Sequence, residues 1–97
     1  MKPLSELTHR DFEPLEGQDF TLKDAGGEVP LKLVKVQGRA WNGPGRAPYS
    51  LLFAASTAIN LPQRIYALEH PSEGEVELFL VPVGRDARGL LLEAVFN

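Results

Sequence analysis

The chain has 97 residues, 43% of them hydrophobic and 24% charged, a composition from which one globular domain over 1–97 is expected rather than a disordered chain. A net charge of −3 with ten scattered Lys and Arg lacks the basic stripe of a nucleic-acid binder, and the absence of cysteine excludes a disulfide scaffold and a thiolate metal site. Eight prolines and nine glycines in so short a chain favour short strands over long helices.

Residues 1–17 lack the apolar core of a secretory signal. The longest uncharged apolar stretch, 49–62, is broken by Ser50, Ser56, Thr57 and Asn60 and falls short of a membrane span of roughly 18 apolar residues. The expectation is a cytoplasmic protein without a membrane partner. Thr8 reads as the cap of a short helix, with Asp11 three residues on in the capping-box position. Leu4, Leu7, Phe12 and Leu15 make a partial helical stripe that Pro14 cuts short, which predicts a small lid over one end or face of a sheet.

From Gln18 the period changes to two. Phe20 and Leu22 fall on one face, with Asp19, Thr21 and Lys23 on the other, as in a half-buried strand. Asp24-Ala25-Gly26-Gly27 reads as a turn whose glycines accept positive φ. The next strand starts near Glu28 with Val29, Leu31 and Leu33 on one face. Val34 and Val36 then slip the parity by one residue, which predicts a β-bulge near Leu33 and Val34 and a bend of the kind small barrels use.

Residues 38–48, GRAWNGPGRAP, hold three glycines and two prolines and read as a loop carrying the sole tryptophan. A strand over 49–55 sets Leu51, Phe53 and Ala55 on one face. After a connection over 56–63, a strand over 64–69 sets Tyr66, Leu68 and then His70 on one face and Ile65, Ala67 and Glu69 on the other. Pro71-Ser72-Glu73-Gly74 is a tight turn with Gly74 at the position of unusual φ. The strand over 75–83 alternates at first and becomes apolar on both faces at Phe79-Leu80-Val81, so it needs packing on two sides. Pro82 lacks a ladder donor and marks an edge, a bulge or a strand end. Residues 84–89 read as a second turn and 90–96 as the closing strand.

These elements predict a mainly β fold: a small antiparallel meander of about six strands, closed as a barrel or folded as a two-layer sheet, with a short N-terminal helix. The expected core is Phe20, Leu22, Leu31, Leu33, Leu51, Phe53, Leu68, Leu78, Leu80, Leu92 and Phe96. The opening DFEPLEGQDFTL, the middle PYSLLF, the later LPQRIYALEHPSEGEVELFLVPVG and the final EAVFN resemble a family of small bacterial proteins catalogued as a domain of unknown function. Arg64 stands where that pattern has a glycine. The resemblance covers most of the chain and implies a fold rather than an activity. It also implies an assembly or accessory role near phage-tail-like structural proteins.

No set of residues reads as catalytic, metal-binding or cofactor-binding. Glu69 and His70 are strand neighbours and point to opposite faces, so His70 reads as a hydrogen-bonded histidine at a hairpin end rather than a metal ligand, and His9 as solvent-exposed. Glu69, Glu73, Glu75, Glu77 and Glu93 read as a solvated outer face. No serine lies in a G-x-S-x-G context, and the glycine-rich loop lacks the G-K-[ST] ending of a P-loop.

Two candidate protein contacts remain. Arg39, Trp41 and Arg46 share the loop, and Trp and Arg are enriched at binding hot spots; the other reading folds Trp41 over a barrel end. Phe79, Val81 and Val83 share the second face of their strand, which the N-terminal helix covers in part and a protein partner or a second copy covers in the rest. The expected function is therefore a non-catalytic structural or protein-interaction module. The alternative is a small barrel holding an apolar ligand, with Tyr66 and His70 as polar anchors.

Overall fold

The period-two segments form six antiparallel strands in a computed structural model that describes residues 1–24, 27–56 and 59–97. They are β1 (Asp19–Asp24), β2 (Gly27–Gly38), β3 (Tyr49–Ala55), β4 (Arg64–His70), β5 (Gly74–Asp86) and β6 (Gly89–Phe96), closed as a barrel in the order β1-β2-β3-β6-β5-β4. Ala25 and Gly26, at the centre of the first expected turn, lie outside the described residues.

The order departs from the expected meander at one connection. β3 pairs with β6, and β4 reaches back to β1, through Leu22 opposite Leu68. The cause lies in Ile59 and Leu61 of the connection, which pack at the barrel interior. Leu61 is buried in the core and Ile59 packs against it, covering the end where β3 finishes and β4 starts. Arg85 holds this crossing, donating from Nη2 to the Ile59 carbonyl at 2.7 Å and to Asn60 Oδ1 at 2.5 Å. Thr57 and Ala58 of the connection lie outside the described residues.

Both anticipated irregularities are bulges. The β2–β3 register shifts between Leu33 and Lys35, leaving Val34 as the extra residue, and the β5–β6 register shifts between Pro82 and Gly84. The second bulge lets β5 continue past the proline to Asp86, so the turn expected over 84–89 shrinks to Ala87-Arg88. Gly89 closes that turn at φ 115°, with its α-carbon so close to β3 that a Cβ would lie 1.9 Å from the Ala55 carbonyl oxygen. Gly74 takes φ 84° in the other hairpin, as its position there requires.

The interior is filled by alternating strand side chains, with Phe20 edge-on to Phe53 at 5.5 Å between centroids. All the expected core residues are buried except Phe96, which is only partly so because it ends β6 at the barrel mouth. Over that mouth lies the N-terminal segment: a 3-10 turn (Leu4–Glu6), α1 (His9–Phe12) and a second 3-10 turn (Glu13–Leu15). The Thr8 N–H donates to Asp11 Oδ2 at 2.8 Å, fixing the start of α1. Leu7, Phe12 and Leu15 are buried, which contributes roughly 1.5–3 kcal/mol each. Leu4 leaves the expected stripe, because extended Leu7 separates its turn from α1, and it stays exposed.

Candidate functional site

Parity along β5 turns Leu78 and Leu80 inward, where they are buried, and Phe79 outward. Cross-strand register then sets Ile65 of β4 opposite Phe79. On the other side Val81 pairs with Glu93, so two residues further along the antiparallel ladder Phe79 comes beside Val95 of β6; the two line a shallow groove with Leu4. Ile65 is 64% exposed, Phe79 51%, Val95 49% and Leu4 43%, so three adjacent strands and the N-terminal segment present one apolar strip to solvent. A strip of this kind, rimmed by polar residues, is typical of an interaction surface.

Its rim is acidic. Glu77 precedes Phe79 by two residues and Glu93 precedes Val95 by two, so each shares the outer face with the strip, and neither has an ion-pair partner among the described residues. Glu75 and Glu69 lie further along that face and share Lys23, whose Nζ is 3.2 Å from Glu69 Oε2 and 3.8 Å from Glu75 Oε2. The hydrogen bond and charge of Glu69, with Glu75 behind it, hold the Lys23 ammonium above its ordinary range.

Of the sequence candidates, Phe79 is the centre of the strip and half-buried Val81 its margin. Val83 is exposed but has no cross-strand partner, since it is the extra residue of the bulge; it does not share the row as parity suggested. Ile65 and Val95 escaped notice because parity assigns a face within one strand and does not say which residues meet across strands.

The loop candidates are apart in role. Trp41 does not cover the core: it is 48% exposed, packs on its own loop so that a Cβ at Gly43 would lie 2.7 Å from its ring, and donates from Nε1 to the Pro44 carbonyl at 3.2 Å. Arg39 closes the neck of the loop through its backbone N–H to the Pro48 carbonyl at 3.1 Å, leaving its side chain exposed. Arg46 is committed elsewhere, donating from Nη1 to the carbonyls of Leu4 at 2.6 Å and Leu7 at 2.7 Å. Its guanidinium also lies 5.6 Å from the Phe96 ring centroid, so it clamps the lid to the barrel mouth.

The polar atoms of His70 and Tyr66 are engaged as well. His70 is buried, and its Nδ1 accepts from the N–H groups of Ser72 and Glu73, each at 3.2 Å; the proton therefore sits on Nε2 and is donated to Gln18 Oε1 at 2.6 Å. Tyr66 donates its hydroxyl to the Pro62 carbonyl at 2.6 Å. His9 is half-buried rather than solvent-exposed, packed on Gly38 and 3.2 Å from Glu13 Oε1. Among the described residues no group of three or more His, Asp or Glu side chains is placed to hold a metal ion, and no helix is long and apolar enough to cross a membrane.

The fold and site define a class: a small six-stranded closed barrel, covered at both ends, with a contiguous apolar strip on the outside. The chain belongs to the family described as Domain of unknown function (DUF6916), which matches residues 7–96. No curated protein and no solved structure matches the chain.

Proposed function

We propose that this chain is a non-catalytic protein-interaction module that docks on another protein subunit through the strip of Ile65, Phe79, Val95 and Leu4. The observation that carries this reading is the exposure of these four side chains on one outer face. Inside the barrel the apolar side chains fill the space, and Tyr66 and His70, which would anchor an interior ligand, already spend their polar atoms on the protein itself. The setting we propose is a cytoplasmic bacterial assembly of phage-tail-like type, in which the barrel is an accessory part. The test is co-expression with the products of neighbouring genes followed by size-exclusion chromatography. A neighbour that co-elutes with the parent and is lost from Phe79→Asp, at an unchanged melting temperature, supports docking through the strip. Co-elution that survives Phe79→Asp and Ile65→Asp contradicts it.

A further inference from the structure

The first half of β5 is laddered on one side only. Residues 74–80 pair with β4, from Gly74 opposite His70 to Leu80 opposite Arg64, whereas the pairing with β6 starts at Val81, opposite Glu93. In an antiparallel strand every second residue turns its N–H and C=O to the same side, so the β6-facing edge of residues 74–80 carries a row of backbone donors and acceptors outside any ladder. A trough runs along this edge. One part, of about 400 Å³, lies between residues 75–77 and the N-terminal residues 1–4, and a second, of about 180 Å³, lies between Phe79 and Val95; Glu77 and Leu4 line both. The N-terminal wall does not act as a strand. Pro3 has no N–H to give, and the hydrogen bond from the Met1 nitrogen to the Glu73 carbonyl, at 2.7 Å, lies before β5 begins.

The charge of the trough is negative. Glu77 lines it without an ion-pair partner among the described residues, and Glu93 stands unpaired where the β6 ladder begins. The cations nearby are already engaged: Lys2, which also lines the trough, holds Asp11 at 3.2 Å, Lys23 is shared by Glu69 and Glu75, and Arg46 holds the carbonyls of Leu4 and Leu7. We infer that the partner presents an extended apolar segment carrying Lys or Arg, which adds as a strand to the β6-facing edge of β5 over residues 75–79. This rests on the docking role proposed for the strip and names the element that the partner supplies. Backbone pairing holds the segment, and the alternation of β5 selects it. Its outward side chains flank Glu77, which calls for a cation, and Phe79, which calls for an apolar group. A folded surface laid on the strip would cover Phe79 and leave the edge N–H and C=O groups without protein partners.

The probe is a random-peptide library displayed on phage and selected on the full chain, with the enriched sequences synthesised and titrated into isotope-labelled protein. The expected peptides are apolar with at least one Lys or Arg, and they slow amide exchange within residues 75–79. Methylating the peptide N–H groups one at a time should abolish binding at alternate positions, which side-chain contact alone would not produce. The double variant Glu77→Lys with Glu93→Lys should bind the same peptides about tenfold more weakly at an unchanged melting temperature. If it melts early, Glu77→Gln takes its place and should weaken binding in the same direction. Peptides that bind these variants as well as the parent, that protect amides elsewhere, or that tolerate N-methylation at every position overturn the inference. A selection that enriches nothing overturns it too. If a neighbouring-gene product is then still lost from Phe79→Asp, the strip stands as a docking surface for a folded partner and only the added strand falls.

Discussion

The Tyr49 ring stacks on the Phe96 ring, with centroids 4.3 Å apart and planes 4° from parallel. With Phe12 laid over both, this stack closes the barrel mouth, and it leaves the Tyr49 hydroxyl buried without a hydrogen-bond partner among the described residues. Burial disfavours the phenolate and pushes the group up to about 12. An unfolded tyrosine ionises near 10, so the folded chain holds more protons above that pH and stability falls as pH rises from about 10 to about 12, by about 2–3 kcal/mol in all. Tyr49→Phe removes both the orphaned hydroxyl and this part of the alkaline loss. Thermal melts at neutral and alkaline pH should show the variant at least as stable as the parent at neutral pH and better at high pH. A variant that melts well below the parent at neutral pH would mean the hydroxyl has a partner after all.

Neighbouring residues on β5 should behave in opposite ways. Leu80 is fully buried, and Leu80→Ala should lose about 2–5 kcal/mol through lost burial and an unfilled cavity. Phe79→Ser, one residue away on the outer face, should stay within about 1 kcal/mol of the parent. Denaturant melts of the pair decide it; similar losses at both positions would refute the register on which the strip rests.

His70 acts as a staple between two parts of the chain distant in sequence. His70→Ala strands the Ser72 and Glu73 N–H groups of the turn and the Gln18 side-chain Oε1, and should cost about 1–3 kcal/mol. In the parent, nitrogen NMR should report the Nε2–H tautomer. His9→Ala should change stability by no more than about 0.5 kcal/mol, since its Glu13 contact is a half-exposed helix pair.

Acid should loosen the lid. The Thr8 N–H, with help from Lys2, holds the Asp11 carboxyl below its ordinary value of 3.8. A lowered carboxyl contributes stability above the unfolded value, and that contribution is lost as pH falls below 3.8 and through the folded value. Protection of the amides of α1 against hydrogen exchange, relative to their intrinsic rates at each pH, should fall over that window in the parent. In Asp11→Asn the protection should already be lower at neutral pH and should lack this acid step; an identical acid step in both proteins would place its origin elsewhere.

Much of the barrel can be read directly from residue order. Alternation identifies the buried faces of the strands, the slip at Leu33 and Val34 locates one bulge, and Pro82 marks the other. The crossing between β3 and β4 is hidden because it depends on Leu61 finding the barrel interior, a tertiary event that no local pattern announces. The site is half legible. Two-sided apolarity at Phe79 and Val81 flags an outer surface, but its extent depends on Ile65 and Val95 meeting it across two ladders, and register of that kind is set by the closed sheet. The surroundings of Trp41 and Arg46 are hidden for the same reason: composition marks them as hot-spot residues, and only packing shows one resting on Gly43 with its ring half-exposed and the other bonded to the carbonyls of Leu4 and Leu7.

The most direct test of the central claim, that another protein subunit covers the strip, is photo-crosslinking inside the living source cell. Phe79 is replaced by photo-reactive p-benzoylphenylalanine, with the same replacement at Lys23, which faces outward on β1, as the control. The account predicts covalent adducts heavier than the single chain from position 79 and few from position 23. Adduct yield at position 79 no greater than at position 23 would contradict it.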